Sequence, residues 1–217
     1  MSPAGEALSS IIARDGPLST EEALRCCRDI LTAFRCVVLA NIQHSEICPE
    51  NIIRVDSRWN EPFYVVMSWG RAVVEDRDSP AINIHFSSLY SLQNRKLCPS
   101  SDAESLIYLL YFASGGSIPQ LDSIESALKW RERSWAKRKF QQHLGKISPL
   151  LKAFADYVDN LCGTPYPVDY DIWLRRLNRA VNGFDRGKSV EVLEVGLRLE
   201  DIAESSGTSG GGASFSH

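Results

Sequence analysis

The chain runs to 217 residues, 44% of them apolar and 24% charged, with a formal net charge of −3. That is enough to bury one core and too apolar for a disordered segment, and a pI of about 5.8 argues against bulk affinity for nucleic acid. Six cysteines without a CxxC spacing, and an N-terminus lacking the charged and apolar regions of a signal peptide, point to reduced thiols in the cytosol or nucleus; no apolar run approaches the roughly 18 residues of a membrane span.

Residues 1–18 read as a partly helical N-terminal segment. At Ser19 the spacing to Glu22 makes a capping box ahead of an apolar stripe at Leu24, Cys27, Leu31, Phe34 and Val38, which predicts a long amphipathic helix. It leads into the polar loop His44-Ser45-Glu46-Ile47-Cys48-Pro49-Glu50-Asn51. Two short apolar runs, 51–55 and 63–67, then read as a β-hairpin. Residues 71–99, where Arg71, Arg77 and Arg95 scatter among Glu75, Asp76 and Asp78, read as an exposed loop, with Ser79 before Pro80 a weak phosphorylation signal.

Ser101 and Glu104 have capping-box spacing and open Leu106-Ile107-Tyr108-Leu109-Leu110-Tyr111-Phe112, apolar nearly all round and stopped at Gly115-Gly116. Such a helix belongs in the middle of a core. Residues 129–146 carry seven Lys or Arg against one Glu, with Trp130, Trp135 and Phe140 interleaved. The bland reading is a helix with buried aromatics and a solvated basic face. The functional reading is a partner face at Lys129, Arg131, Arg133, Lys137, Arg138 and Lys139 that takes an acidic protein segment; nucleic acid is disfavoured by the overall acidic balance. Leu150, Leu151, Phe154, Tyr157, Val158 and Leu161 form a helical stripe ended by Gly163, and Pro165 and Pro167 forbid its continuation. Residues 183–204, with Val190, Val192, Val195, Leu199 and Ile202, read as a helical extension, and the Ser- and Gly-rich 205–217 as a flexible tail.

The loop from His44 to Asn51 resembles the catalytic loop of protein kinases. There a His is followed by Arg, by an Asp that takes the substrate hydroxyl proton, and later by an Asn that holds magnesium. His44, Pro49, Glu50 and Asn51 match; the Arg position is Ser45, the Asp position Glu46 and the Lys position Cys48. Seventeen residues past Asn51, Ser68-Trp69-Gly70 stands where the family has Asp-Phe-Gly, so the metal-binding carboxylate is replaced by a neutral hydroxyl. Glu46 keeps a carboxylate but moves it by one methylene, and near-attack geometry tolerates an error of about 1 Å poorly. Residues 102–108 and 168–177 are similar to segments of casein-kinase-one-like enzymes and of fungal kinases close to them. The likeness runs from about residue 20 to residue 182, and 19–182 is taken as the domain.

The resemblance implies a mainly α fold: a kinase C-terminal lobe with a short β-hairpin. Before Ser19 the only glycines are Gly5 and Gly16, and the first Lys is Lys96, so the expectation is a lobe without the glycine-rich loop and strand Lys of an N-terminal lobe. The degenerate catalytic residues are Glu46 and Asn51. His44, Asp102, Ser68 and Gly70 organise the loop, Asp102 through its backbone. No cofactor or metal is expected, magnesium-ATP entering only if the chain is a divergent or split kinase. The partner expected is a protein, either a kinase or an acidic segment, with no membrane. His44 reads as a core histidine bonded to backbone rather than a proton carrier, and Cys48, with no cation near it in sequence, as an inert thiol.

Overall fold

The structure is a computed structural model that describes residues 5–56, 61–74 and 78–184. Residues 1–178 form one compact unit and carry all that follows; 179–217 form a second, of which 179–184 are described and are helical. The extension over 185–204 and the tail over 205–217 lie outside the described residues, and 183 and 184 are helical.

The long helix α2, Thr20–Val38, begins where the capping box requires: the Ser19 side chain accepts from the Glu22 N–H and the Glu22 carboxylate accepts from the Ser19 N–H. Its buried face runs through Leu24, Cys27, Ile30, Leu31 and Phe34. The hairpin is present as β2, Ile52–Val55, and β3, Phe63–Val66, antiparallel with Ile52 opposite Val66 and Val55 opposite Phe63. β3 lies on α2, where the Tyr64 N–H donates to Asp29 at 2.9 Å.

The first eighteen residues do more than precede this frame. A three-residue strand β1, Gly5–Ala7, pairs antiparallel with β2, Gly5 opposite Val55, and makes the sheet three-stranded in the order β1-β2-β3. Helix α1, Leu8–Asp15, follows it directly and buries Leu8 and Ile11. The segment over 71–99 is not one exposed loop. It contains helix α3, Leu89–Asn94, capped by the Ser88 hydroxyl accepting from the Ser91 N–H, and it buries Phe86, Leu92 and Cys98.

Helix α4, Ser101–Ala113, is the centre, buried at every position from Ser101 to Tyr111. Its all-round apolar sequence leaves no face for water, and α2, α3, α6 and α7 pack around it. It stops at Gly115, which has φ +92°, and Gly116, where an added Cβ would stand 2.5 Å from the Tyr111 carbonyl oxygen. The capping box expected at Ser101 and Glu104 does not form. The helix starts at Ser101 without a side-chain cap, the Ser101 hydroxyl accepts from the Cys98 N–H at 2.9 Å, and the Glu104 carboxylate turns into the core.

The basic stretch folds as α5, Ile124–Ala136, and α6, Lys139–Ile147, broken at Arg138 with φ 53°. The chain closes with α7, Pro149–Leu161, packed on α6, and a helical stretch over 170–178.

Candidate functional site

The loop from His44 to Asn51 is held from below by α4. Asp102, buried near the start of that helix, accepts the His44 N–H at 2.6 Å and the Ser45 N–H at 2.9 Å, one on each carboxylate oxygen. Burial pushes its carboxyl above the usual range, and the two N–H bonds oppose that shift.

The His44 ring is fully buried and its tautomer follows from its partners. Nδ1 accepts from the Glu46 N–H at 3.2 Å, so the ring proton sits on Nε2, which donates to the Met67 carbonyl at 2.6 Å. The Trp69 ring meets it edge-on with centroids 4.8 Å apart. His44 is therefore saturated by backbone and ring contacts and has no free nitrogen for a proton transfer.

Asn51 donates from Nδ2 to the Glu46 carbonyl at 2.9 Å, and its own carbonyl accepts from the Met67 N–H at 2.8 Å. Its side chain thus closes the loop, and its backbone joins the loop to the segment that carries Ser68. The Glu46 carboxylate lies 3.6 Å from the exposed Arg71 guanidinium. Ser68 takes the left-handed conformation, φ 66° and ψ 36°, at the head of the Trp69–Arg71 turn. Gly70 sits inside that turn, and an added Cβ there would meet nothing within 4 Å, so space alone does not demand glycine. Cys48 is buried, and burial beside Glu50 pushes its thiol up to about 12, which keeps it protonated and unreactive at neutral pH.

Ser45 has a role that its sequence position did not signal. It too is left-handed, φ 68°, and its hydroxyl donates to the Arg71 carbonyl at 3.0 Å while accepting from the Ala81 N–H at 3.4 Å. One hydroxyl thus ties the loop to two points of the following segment. Behind the loop lies a cavity of about 570 Å³ walled by Phe34, Val37, Ile42, Val73, Val168 and Tyr170 and reaching Asp102. Its walls come from distant stretches of chain, so no local pattern announced it.

The basic stretch divides. Lys129, Arg133, Lys137 and Lys139 line one hollow of about 440 Å³ together with Trp130, Pro119 and Leu121. Arg138 is engaged elsewhere, in an ion pair with Asp156 at 2.5 Å. Arg131, expected on the partner face, is fully buried: its guanidinium donates to the Ile84 and Ala127 carbonyls at 2.9 and 3.2 Å and stands 4.8 Å over the Tyr108 ring. Two residues from Lys129 and two from Arg133, it points to the opposite side of the helix. Burial lowers its pKa, and the nearby Tyr108 and Glu104 offset part of that.

Among the described residues, no group of three or more His, Cys, Asp or Glu side chains gathers as a metal site would, and no helix is long and apolar enough to cross a membrane.

No protein-family model matches the chain. It is 32% identical over 119 residues to a calcium and calcium/calmodulin-dependent serine/threonine-protein kinase of Lotus japonicus, covering 53% of this chain and 23% of that protein. It is 31% identical over 119 residues to the protein named calcium and calcium/calmodulin-dependent serine/threonine-protein kinase DMI-3 of Medicago truncatula, covering 53% of this chain and 22% of that one. The chain thus spans less than a quarter of the length of these curated relatives. Among solved structures, the Rad53 kinase domain with SCD2 superposes with a TM-score of 0.55 at 17% identity, over 79% of this chain and 64% of that one. The relationship is protein-kinase-like, and the fold is a mainly helical piece of kinase type with a small antiparallel sheet.

Proposed function

We propose that this chain is a kinase-like lobe that has given up phosphoryl transfer and acts as a protein-binding or regulatory module in the cytosol or nucleus. The observation that carries the reading is the contrast between Asp102, whose two bonds to the His44 and Ser45 N–H groups keep the loop backbone in shape, and Ser68, a neutral hydroxyl where the resemblance calls for a metal-binding carboxylate. Magnesium needs hard oxygen donors in near-octahedral array, and phosphoryl transfer depends on the metal to neutralise developing charge. Ser68 supplies no carboxylate for that ion, and Asn51, whose Nδ2 is tied to the Glu46 carbonyl, has only its neutral Oδ1 to offer. The Glu46 carboxylate has the exposed Arg71 guanidinium 3.6 Å away as a loose partner and stands one methylene from where the motif's Asp would place it.

A second reading is a divergent or split serine/threonine kinase that uses Glu46 and Asn51. The retained position of Asn51 favours it, as do the curated relatives, which are named as kinases. Two assays separate the readings: the thermal shift of the chain with magnesium-ATP, and phosphotransfer from labelled ATP to a generic protein substrate, with Glu46→Ala as control. The binding-module reading expects no shift and no transfer above the control. Transfer that Glu46→Ala abolishes would establish the kinase instead.

A further inference from the structure

We propose that the hollow between α5 and the start of α6 docks a short acidic peptide segment bearing one apolar side chain. The proposal rests on the protein-binding reading and names the chemistry of the partner.

Lys129, Arg133 and Lys137 recur every four residues, so they stand in one row along α5 and its end. Lys139 enters the same hollow from the first residue of α6, its ammonium 5.5 Å over the Tyr111 ring and 5.8 Å over the Trp130 ring. Among the described residues the Arg133 and Lys137 side chains make no ion pair and no hydrogen bond, the two residues being joined only by the helix bond from the Lys137 N–H to the Arg133 carbonyl. Lys129 reaches only Glu125, at 2.6 Å, and both partners are exposed, which makes that a weak, exchangeable pair. Four cations lining one hollow repel one another, and an anionic ligand relieves that repulsion. Beside them Pro119, Leu121 and the half-buried Trp130 supply an apolar wall that charge alone does not use.

The length and the border of the row select a peptide. From Lys129 to Lys137 the row rises about 12 Å, which about four extended residues cover. At one end of the row Glu125 already pairs with Lys129, and Asp122 follows Leu121 of the lining in sequence, so a long polyanion would run onto like charge there, which a short segment avoids.

The test titrates the full chain with a fluorescein-labelled peptide of about eight residues carrying four Glu around one Leu, with its twin bearing Gln for every Glu, and with an oligouridine of similar length. The expected result is a peptide affinity at least about tenfold above the Gln twin, weakening between about 50 and 300 mM salt. It should fall at least about tenfold in Arg133→Glu/Lys137→Glu and stay unchanged in Arg95→Glu. Equal binding of the Gln twin, indifference of the double variant, or tighter binding of the oligouridine would overturn the proposal. Phosphotransfer measured on the same preparation keeps the two claims apart. Activity there would sink the binding-module reading whatever the peptide does, while a peptide that ignores the double variant would sink only the groove.

Discussion

Asp102 and Glu104 stand two residues apart on α4, both buried, both with carboxyls pushed up by that burial, and they face different halves of the lobe. Asp102 serves backbone: its two oxygens hold the N–H groups of His44 and Ser45, so it fixes the path of a loop and touches no reacting group. Glu104 serves side chains as well. It accepts from the Tyr108 hydroxyl, from the Leu89 N–H at 2.8 Å and from the Cys162 thiol at 3.3 Å, and Tyr108 in turn accepts from the Trp135 indole at 2.9 Å. Around this second carboxylate Trp130, Trp135, Phe140 and Arg131 close in on the Tyr108 ring. On one side α4 holds the backbone of the His44–Asn51 loop; on the other it builds a dense aromatic and ionic core beneath a basic surface. The loop side keeps a form, and the α5 side keeps a platform.

The sharpest way to break that contrast is to remove Asp102. In Asp102→Ala two buried backbone donors lose their partners, each worth roughly 1–3 kcal/mol, so a loss of about 3–5 kcal/mol is expected in urea unfolding. The melting temperature should fall by roughly 10 °C. A cost below about 1 kcal/mol would mean that the loop is held by something other than α4.

On the other side the expected effect is smaller and takes the form of coupling. Arg131→Met keeps the stem volume but leaves Glu104 without its nearest compensating cation and the Ile84 carbonyl without its donor, a loss of about 2–4 kcal/mol. Adding Glu104→Gln removes the uncompensated charge, so the double variant should be more stable than the sum of the singles predicts, by about 1 kcal/mol or more. Strict additivity in urea unfolding of the four proteins would show that the two groups do not support one another.

Much of this frame was legible because its signals are local. The capping box at Ser19 and the stripe along α2, the paired apolar runs of the hairpin, the all-round apolar α4 with its glycine stop, and the α7 stripe each need only a few consecutive residues to be read. Strand β1 has three residues and α3 six, too short for any period to show. Ser101 and Glu104 satisfied the capping spacing and still did not cap, because a buried helix start leaves the carboxylate free to find Cys162, 58 positions away. The loop residues were found through their motif, yet the ties of the Ser45 hydroxyl to residues 26 and 36 positions on have no sequence signature. Arg131 was separable in principle: 129, 133 and 137 repeat at four, and a residue midway between two of them belongs to the opposite face.

The smallest effect is a pH slope, and it joins the two carboxylates. Both native carboxyls titrate above the ordinary range near about pH 4, so between that value and their raised native values the folded state binds more protons than the unfolded chain. Unfolding free energy therefore falls as pH rises through this window and levels off above it, the reverse of the slope produced by surface carboxylates whose pKa is lowered, such as Asp15, Asp122 and Glu125. Those surface groups are unchanged in Glu104→Gln and cancel when the variant is compared with the parent. Melting curves of the two proteins from acid to neutral pH should converge as pH rises, because the parent loses a contribution that the variant never had. A difference that is constant with pH would mean that Glu104 titrates in the native core as it does in the unfolded chain, and the contrast with Asp102 would then rest on geometry alone.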